Sequence, residues 1–288
     1  MADKLGKIVE GVPKYGGSAA SAAVGAGIGT LIAGPIGTVT GAMVGTAVEH
    51  VIQFAGQEIK EKVLSKSEKR KIGTVYECAK EKINRNLDEG KTLRTDDFFN
   101  PSTDGRSSAD EILEGTLFAA QRENEEKKLP YMANLYANIN FDESIDRHMA
   151  NQLIHIASEL SYRQLVILRV IGAYQTGDLV GAPPRRSTEY GTITGYDNIS
   201  IATDIFDLYR RSLVFSQSAI LDAAGIIPSK LTISGMGALL YNLMDLPHMP
   251  YDELANTIVT FLSGVSLNIK KKPGSIKEVE HDNEWGRF

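Results

Sequence analysis

Cysteine is almost missing from this chain. Cys78 is the single one among 288 residues, which excludes an intramolecular disulfide and fits a reducing compartment. Aromatic residues are sparse at 7%, and there is one tryptophan. The formal net charge is -5, which argues against a general nucleic-acid binder; no nucleic-acid partner is expected. The opening Met-Ala-Asp-Lys-Leu is not a secretory signal, because the apolar run that follows starts too late and continues too long. The body is therefore expected in the cytoplasm.

Catalytic signatures are missing as well. The sequence has no P-loop, no glycine-rich dinucleotide turn, no Gly-x-Ser-x-Gly, no paired-cysteine zinc spacing and no His-Glu-x-x-His. His148 and His155, seven apart on one predicted helix, stand about 10 Å from each other, too far to share a metal without outside ligands. Glu114, Glu123, Glu125 and Glu126 read as a solvated face. Cys78, near Lys80 and Lys82, is either an activated thiol or a half-buried structural one. The chain is expected to be no enzyme and to carry no cofactor and no metal.

The longest gap in the charge pattern is the most informative. Residues 16–48 carry no charged side chain. Read at every fourth residue, one row is Gly17, Ser21, Gly25, Gly29, Ala33, Gly37, Gly41, Gly45, and the next runs from Ser18 to Thr46 through small residues. A third row is mostly bulky and apolar: Ala20, Val24, Ile28, Ile32, Ile36, Thr40, Val44 and Val48. Residues four apart share a helix face, so this is a glycine zipper, a smooth face that lets backbones approach closely. Gly25, Gly29, Gly37, Gly41 and Gly45 are the candidate packing residues. Each glycine costs a water-exposed helix about 1 kcal/mol relative to alanine. In a bilayer the need to satisfy every backbone group internally restores the helix.

Gly34-Pro35 falls mid-segment and predicts a hairpin turn. A single helix over the stretch would be about 50 Å long, against a hydrocarbon core of about 30 Å. Lys4, Lys7 and Lys14 precede the stretch. Lys66, Lys69, Arg70 and Lys71 follow it and form the candidate membrane-surface basic flank. A hairpin leaves both flanks on one side, as the positive-inside rule asks. The expected partners are a lipid membrane and further copies of the same chain. The alternative is a soluble homo-oligomer in which the Gly/Ala-rich arm packs between subunits.

Six segments are expected in order: an amphipathic lead at 1–15, the zipper hairpin at 16–64, a linker helix and loop at 65–107, a helical domain at 108–180, a winged-helix-like module at 181–269, and a disordered tail from 270. Helical spacing predicts a charged helix from Ser65 to Leu87 with Ser67 as its cap. Residues 88–108, with Gly90, Asn100-Pro101 and Asp104-Gly105, form the predicted domain boundary. Ser108-Ala-Asp-Glu111 is a capping-box pattern that opens a helix to Arg122. Pro130 restarts a helix, and two more follow to Tyr174. Residues 172–198 read as a long loop. After a helix over 199–213, the pieces Leu213-Val-Phe and Lys230-Leu-Thr-Ile-Ser are strand-like, and Gly235 opens another helix. A last helix is predicted from Pro250 to Leu262. Lys127-Lys128, Arg185-Arg186, Arg210-Arg211 and Lys270-Lys271-Lys272 are local basic clusters; a winged-helix reading makes Arg210 and Arg211 candidates for phosphate contact. The fold class expected is mainly α, with the zipper hairpin and a small winged-helix-like β element.

Four segments within 107–246 resemble one known family. Pro130-Tyr-Met-Ala-Asn-Leu-Tyr-Ala-Asn-Ile139 resembles the "WANLLAN"-type segment of Abi-alpha, a family of bacterial abortive-infection proteins, with Tyr131 in the place of the tryptophan. Leu160-Ser-Tyr-Arg-Gln-Leu-Val-Ile-Leu168 is similar to its helix introduced by Leu-Ser. Leu208-Tyr-Arg-Arg-Ser-Leu-Val214 resembles its "L-x-R-x-G-L-I" element, with Ser212 in the place of the glycine, and Lys230-Leu-Thr-Ile-Ser-Gly-Met-Gly237 resembles its closing "L-T-x-x-G" turn. The resemblance implies a helical domain with a winged end and a link to phage defence. It brings no catalytic residues.

Overall fold

A computed structural model describes residues 64–103, 105–178, 185, 187–189 and 196–254. The glycine rows, the Gly34-Pro35 turn, the amphipathic lead, the Lys270-Lys271-Lys272 cluster, the tail, most of the 179–195 loop and the last helix beyond residue 254 lie outside them. The described part is mainly α-helical. Its helices are α1 (Lys66–Asp88), α2 (Ser108–Arg122), α3 (Leu129–Ile139), α4 (Arg147–Glu159), α5 (Tyr162–Thr176), α6 (Tyr196–Arg210) and α7 (Gly235–Leu243), and a helical turn follows at 251–254. Between α6 and α7 lie β1 (Val214–Ser216) and β2 (Leu231–Ile233), a two-stranded antiparallel sheet in which Val214 faces Ile233 and Ser216 faces Leu231.

Side-chain caps start four of these helices. Ser65 caps α1: its hydroxyl accepts from the Glu68 N–H at 3.2 Å, while Glu68 accepts from the Ser65 N–H at 2.8 Å. The cap is therefore Ser65 and not Ser67. The physical reason is that Glu68 stands three residues after Ser65 and completes a capping box, whereas Arg70 stands three after Ser67. The predicted cap of α2 moves as well, by one residue, from Ser108 to Ser107. Ser107 and Asp110 form its box, and Glu111 instead accepts from Asn151 at 2.6 Å. Asp146 caps α4, and Ser161 with Gln164 closes a third box at α5. Gly177 ends α5 at φ 79°, the left-handed conformation that glycine adopts without steric cost.

Packing joins these helices into one apolar cluster. Ile72, Val75, Ala79 and Ile83 of α1 belong to the same buried set as Ile112 and Leu113 of α2, Leu135 of α3, Leu153 of α4 and Leu240 of α7. Helix α1 lies against α2 and α3. The predicted boundary at 88–108 therefore connects elements of one core, and its Phe98 and Leu93 are buried. Helix α5 is buried on every side from Gln164 to Ala173, with Gln164 and Arg169 among apolar neighbours, so its apolar residues occupy all faces and form no single stripe.

Two glycines let α7 come close. A β-carbon on Gly172 of α5 would collide with the Tyr241 ring, and one on Gly237 with the Leu213 carbonyl. Neither position has room for a side chain.

Candidate functional site

The described body carries two concentrations of polar chemistry. One is a seam at the carboxyl end of α7; the other is a pole where the chain enters α1.

The seam is built on the Ala-Asn-Leu-Tyr-Ala-Asn segment of α3. Asn138 donates to the Leu243 carbonyl at 2.8 Å and Asn134 to the Met244 carbonyl at 3.3 Å. Asn86 of α1, fully buried, donates to the Asn138 side chain at 2.8 Å, and Lys91 donates to Asn86 at 2.9 Å. These bonds satisfy carbonyls that a helix end leaves open. One turn further, Lys82 pairs with Asp245 at 2.8 Å, with 7% and 15% of the two side chains exposed. Asp245 sits at φ 60° and also meets His248 at 2.7 Å. Burial raises the Asp245 carboxyl, yet the bonds from Lys82 and His248 outweigh it and leave the group below its ordinary range. The bonds of Asn86, Asn134, Asn138 and Lys82 join α1 and α3 to the end of α7, while Lys91 and His248 sit at the exposed rim, so the seam docks α7 onto α1 and α3.

The pole gathers around the charged turn at 123–128, which the sequence presents as a solvated face. The structure gives its carboxylates and lysines specific tasks. Lys128, only 1% exposed, pairs with Glu123 and donates to the Ser158 carbonyl at 3.0 Å and the Leu160 carbonyl at 2.5 Å, closing the end of α4. Glu125 accepts from the Tyr162 N–H at 2.7 Å, a carboxylate at the amino end of α5 where the helix dipole favours it. Glu126 binds Arg70 in the first turns of α1. Lys127 binds Glu253 at 2.9 Å, and Glu253 also accepts from the Tyr162 hydroxyl at 2.8 Å. Glu126 and Lys127 are neighbours, so the turn holds both the start of α1 and the segment at 251–254.

Glu68 belongs to the same region. It accepts from Gln121 at 2.7 Å, and that bond, with those from Ser65, brings its carboxyl down to about 2. Of the four predicted basic-flank residues, Lys66 and Lys69 are exposed, whereas Arg70 and Lys71 are half-buried. The flank is thus split in two, a division that the sequence does not reveal because the partners of Arg70 lie far along the chain.

The other polar candidates are placed as follows. Among the described residues no group of three or more His, Cys, Asp or Glu could hold a metal ion. His148 and His155 are both exposed, with His155 3.5 Å from Glu159. Cys78 is half-buried; burial, then Glu81 and Glu77, push its thiol up to about 11, so at neutral pH it is protonated and not an activated nucleophile. Arg211 is engaged by Asp207 and Glu159, and Arg185 by the Leu231 carbonyl and the Tyr174 ring. A cleft of about 380 Å³ opens between Asp97, Ser102, Ser108 and Arg147, where Arg147 already meets Glu111 at 3.4 Å. Among the described residues no helix is long and apolar enough to cross a membrane.

The chain matches no family model, no curated protein and no solved structure.

Proposed function

We propose that this is a non-enzymatic, membrane-associating, self-assembling protein whose glycine-zipper stretch, residues 16–48, inserts as a hairpin and packs against other copies. The observation that carries this reading is the segregation of small and bulky rows in a stretch without any charge. Two features of the body fit it. No described helix is long and apolar enough to cross a membrane, and residues 16–48 are an uncharged stretch long enough for a hairpin. The body also opens on exposed Lys66 and Lys69, cations of the kind that gather on the cytoplasmic side of a membrane segment. The body rests on the inner face of the cell membrane and holds or releases the hairpin.

The resemblance to Abi-alpha extends the proposal to an abortive-infection effector that permeabilises or perturbs the membrane. Two details favour it. The two asparagines of the quoted α3 segment both act, on the carbonyls at the end of α7. Ser212, where the family pattern has glycine, adopts φ 58°, a backbone that glycine favours. The order α6, β1, β2, α7 likewise fits a small winged-helix-like module.

The experiment is fractionation of cells into membrane and cytosol, with the full chain and with residues 16–48 deleted. The full chain sediments with membranes and the deletion is soluble. A full-length chain that is soluble without detergent and oligomeric by light scattering would overturn the membrane reading and assign the glycine face to subunit packing.

A further inference from the structure

The pole leaves some cations free and its carboxylates occupied. In the first turn of α1 and the turn at 123–128, Glu68 is bonded to Gln121 and Ser65, Glu123 to Lys128, Glu125 to the Tyr162 N–H, and Glu126 to Arg70. Lys66 and Lys69 are exposed and form no ion pair among the described residues. The same holds for Arg122, which follows the Gln121 that binds Glu68. Cations at the amino end of a helix oppose its dipole, so Lys66 and Lys69 are not there to support α1. The chain reaches this pole at Leu64, sixteen residues after the uncharged stretch ends at Val48. This end of the body is therefore the one tethered to the proposed membrane arm.

We propose that Lys66, Lys69 and Arg122 form a lipid-docking face that selects anionic headgroups and turns this pole toward the bilayer, with Arg70 reserved for Glu126. The inference rests on the reading that residues 16–48 carry the chain to a membrane, and it adds the lipid class and the orientation of the body. A basic residue held near an anionic surface strengthens binding about fivefold, and the attraction fades over about 10 Å.

The test uses the full chain sedimented with vesicles of phosphatidylcholine alone or with added phosphatidylserine. The wild type binds both and prefers the anionic vesicles. The triple change Lys66→Glu, Lys69→Glu, Arg122→Glu keeps binding to neutral vesicles, as circular dichroism keeps its helical signal, and weakens binding to anionic ones about a hundredfold. Arg85→Glu, the same charge change about 24 Å beyond Lys69 along α1, alters binding less than twofold, whereas Lys69→Glu alone weakens it about fivefold or more. Equal binding of the triple variant and the wild type to anionic vesicles overturns the face, as does an equal loss in Arg85→Glu and Lys69→Glu. A full chain that binds neither kind of vesicle overturns the membrane reading itself, and the docking face with it.

Discussion

The seam at the end of α7 and the pole at the start of α1 contain similar residues and use them differently. At the seam Asn86, Asn138, Lys82 and Asp245 spend their hydrogen bonds on one another and on helix carbonyls, with Asn86 fully buried. At the pole the carboxylates are used in the same way, but Lys66, Lys69 and Arg122 remain exposed and unpaired among the described residues. A buried polar group without its partner is costly, so a closed network reports on architecture. A free cation on the surface costs almost nothing and is available to a ligand. The contrast separates charges that hold this fold together from those that face outward.

Breaking the seam has the largest expected effect. Lys82→Met leaves the Asp245 carboxylate shielded with no lysine partner and only the His248 ring beside it, and should lower stability by about 3 kcal/mol in urea unfolding. A loss below about 1 kcal/mol would mean that Asp245 escapes to water, and the seam would be no more closed than the pole. Asn138→Leu removes a donor to the Leu243 carbonyl and an acceptor for Asn86, and should cost about 2 kcal/mol by the same measurement.

Acid probes the seam more gently. Asp245 has its folded pKa below the unfolded value, so its contribution is complete above the unfolded pKa of about 4 and is lost as pH falls through the folded pKa. A urea series between pH 5 and pH 2 should show falling stability, with a shallower fall in Asp245→Asn. Equal slopes would remove Asp245 from the acid response.

The pole should respond least. Arg70→Gln breaks a pair whose side chains are 38% and 50% exposed, and should cost less than about 1 kcal/mol. Lys66→Gln with Lys69→Gln should leave thermal stability unchanged or raise it by about 0.5 kcal/mol, because two cations leave the positive end of α1. A clear loss of stability in this pair would show that they are structural, and would erase the distinction from the seam.

Much of the local architecture was legible in the residues. Pro130 marks the start of α3, Ser161 that of α5, and strand-like pieces near 214 and 231 do pair. The caps at Ser65 and Ser107 were within reach too, since a serine with an acid three residues on signals each box; a neighbouring serine in each place obscures the frame. The glycine rows of 16–48 are likewise written in the sequence, as is the basic run that follows them.

The sequence by itself determined what depends on near neighbours: helix starts and stops, the apolar faces, the uncharged stretch and the mainly α class. Those features arise from contacts a few residues apart, where spacing alone fixes geometry. Only the tertiary structure decided that α1 shares the core of the helices after the 88–108 loop, that α5 is enclosed on all sides, and that α3 asparagines bind the end of α7. It also decided which of Lys66, Lys69, Arg70 and Lys71 is spoken for. Arg70 meets Glu126, fifty-six residues away, and a partner that distant is brought near only by the packing of the whole chain, in which many residues act together and no local pattern records the outcome.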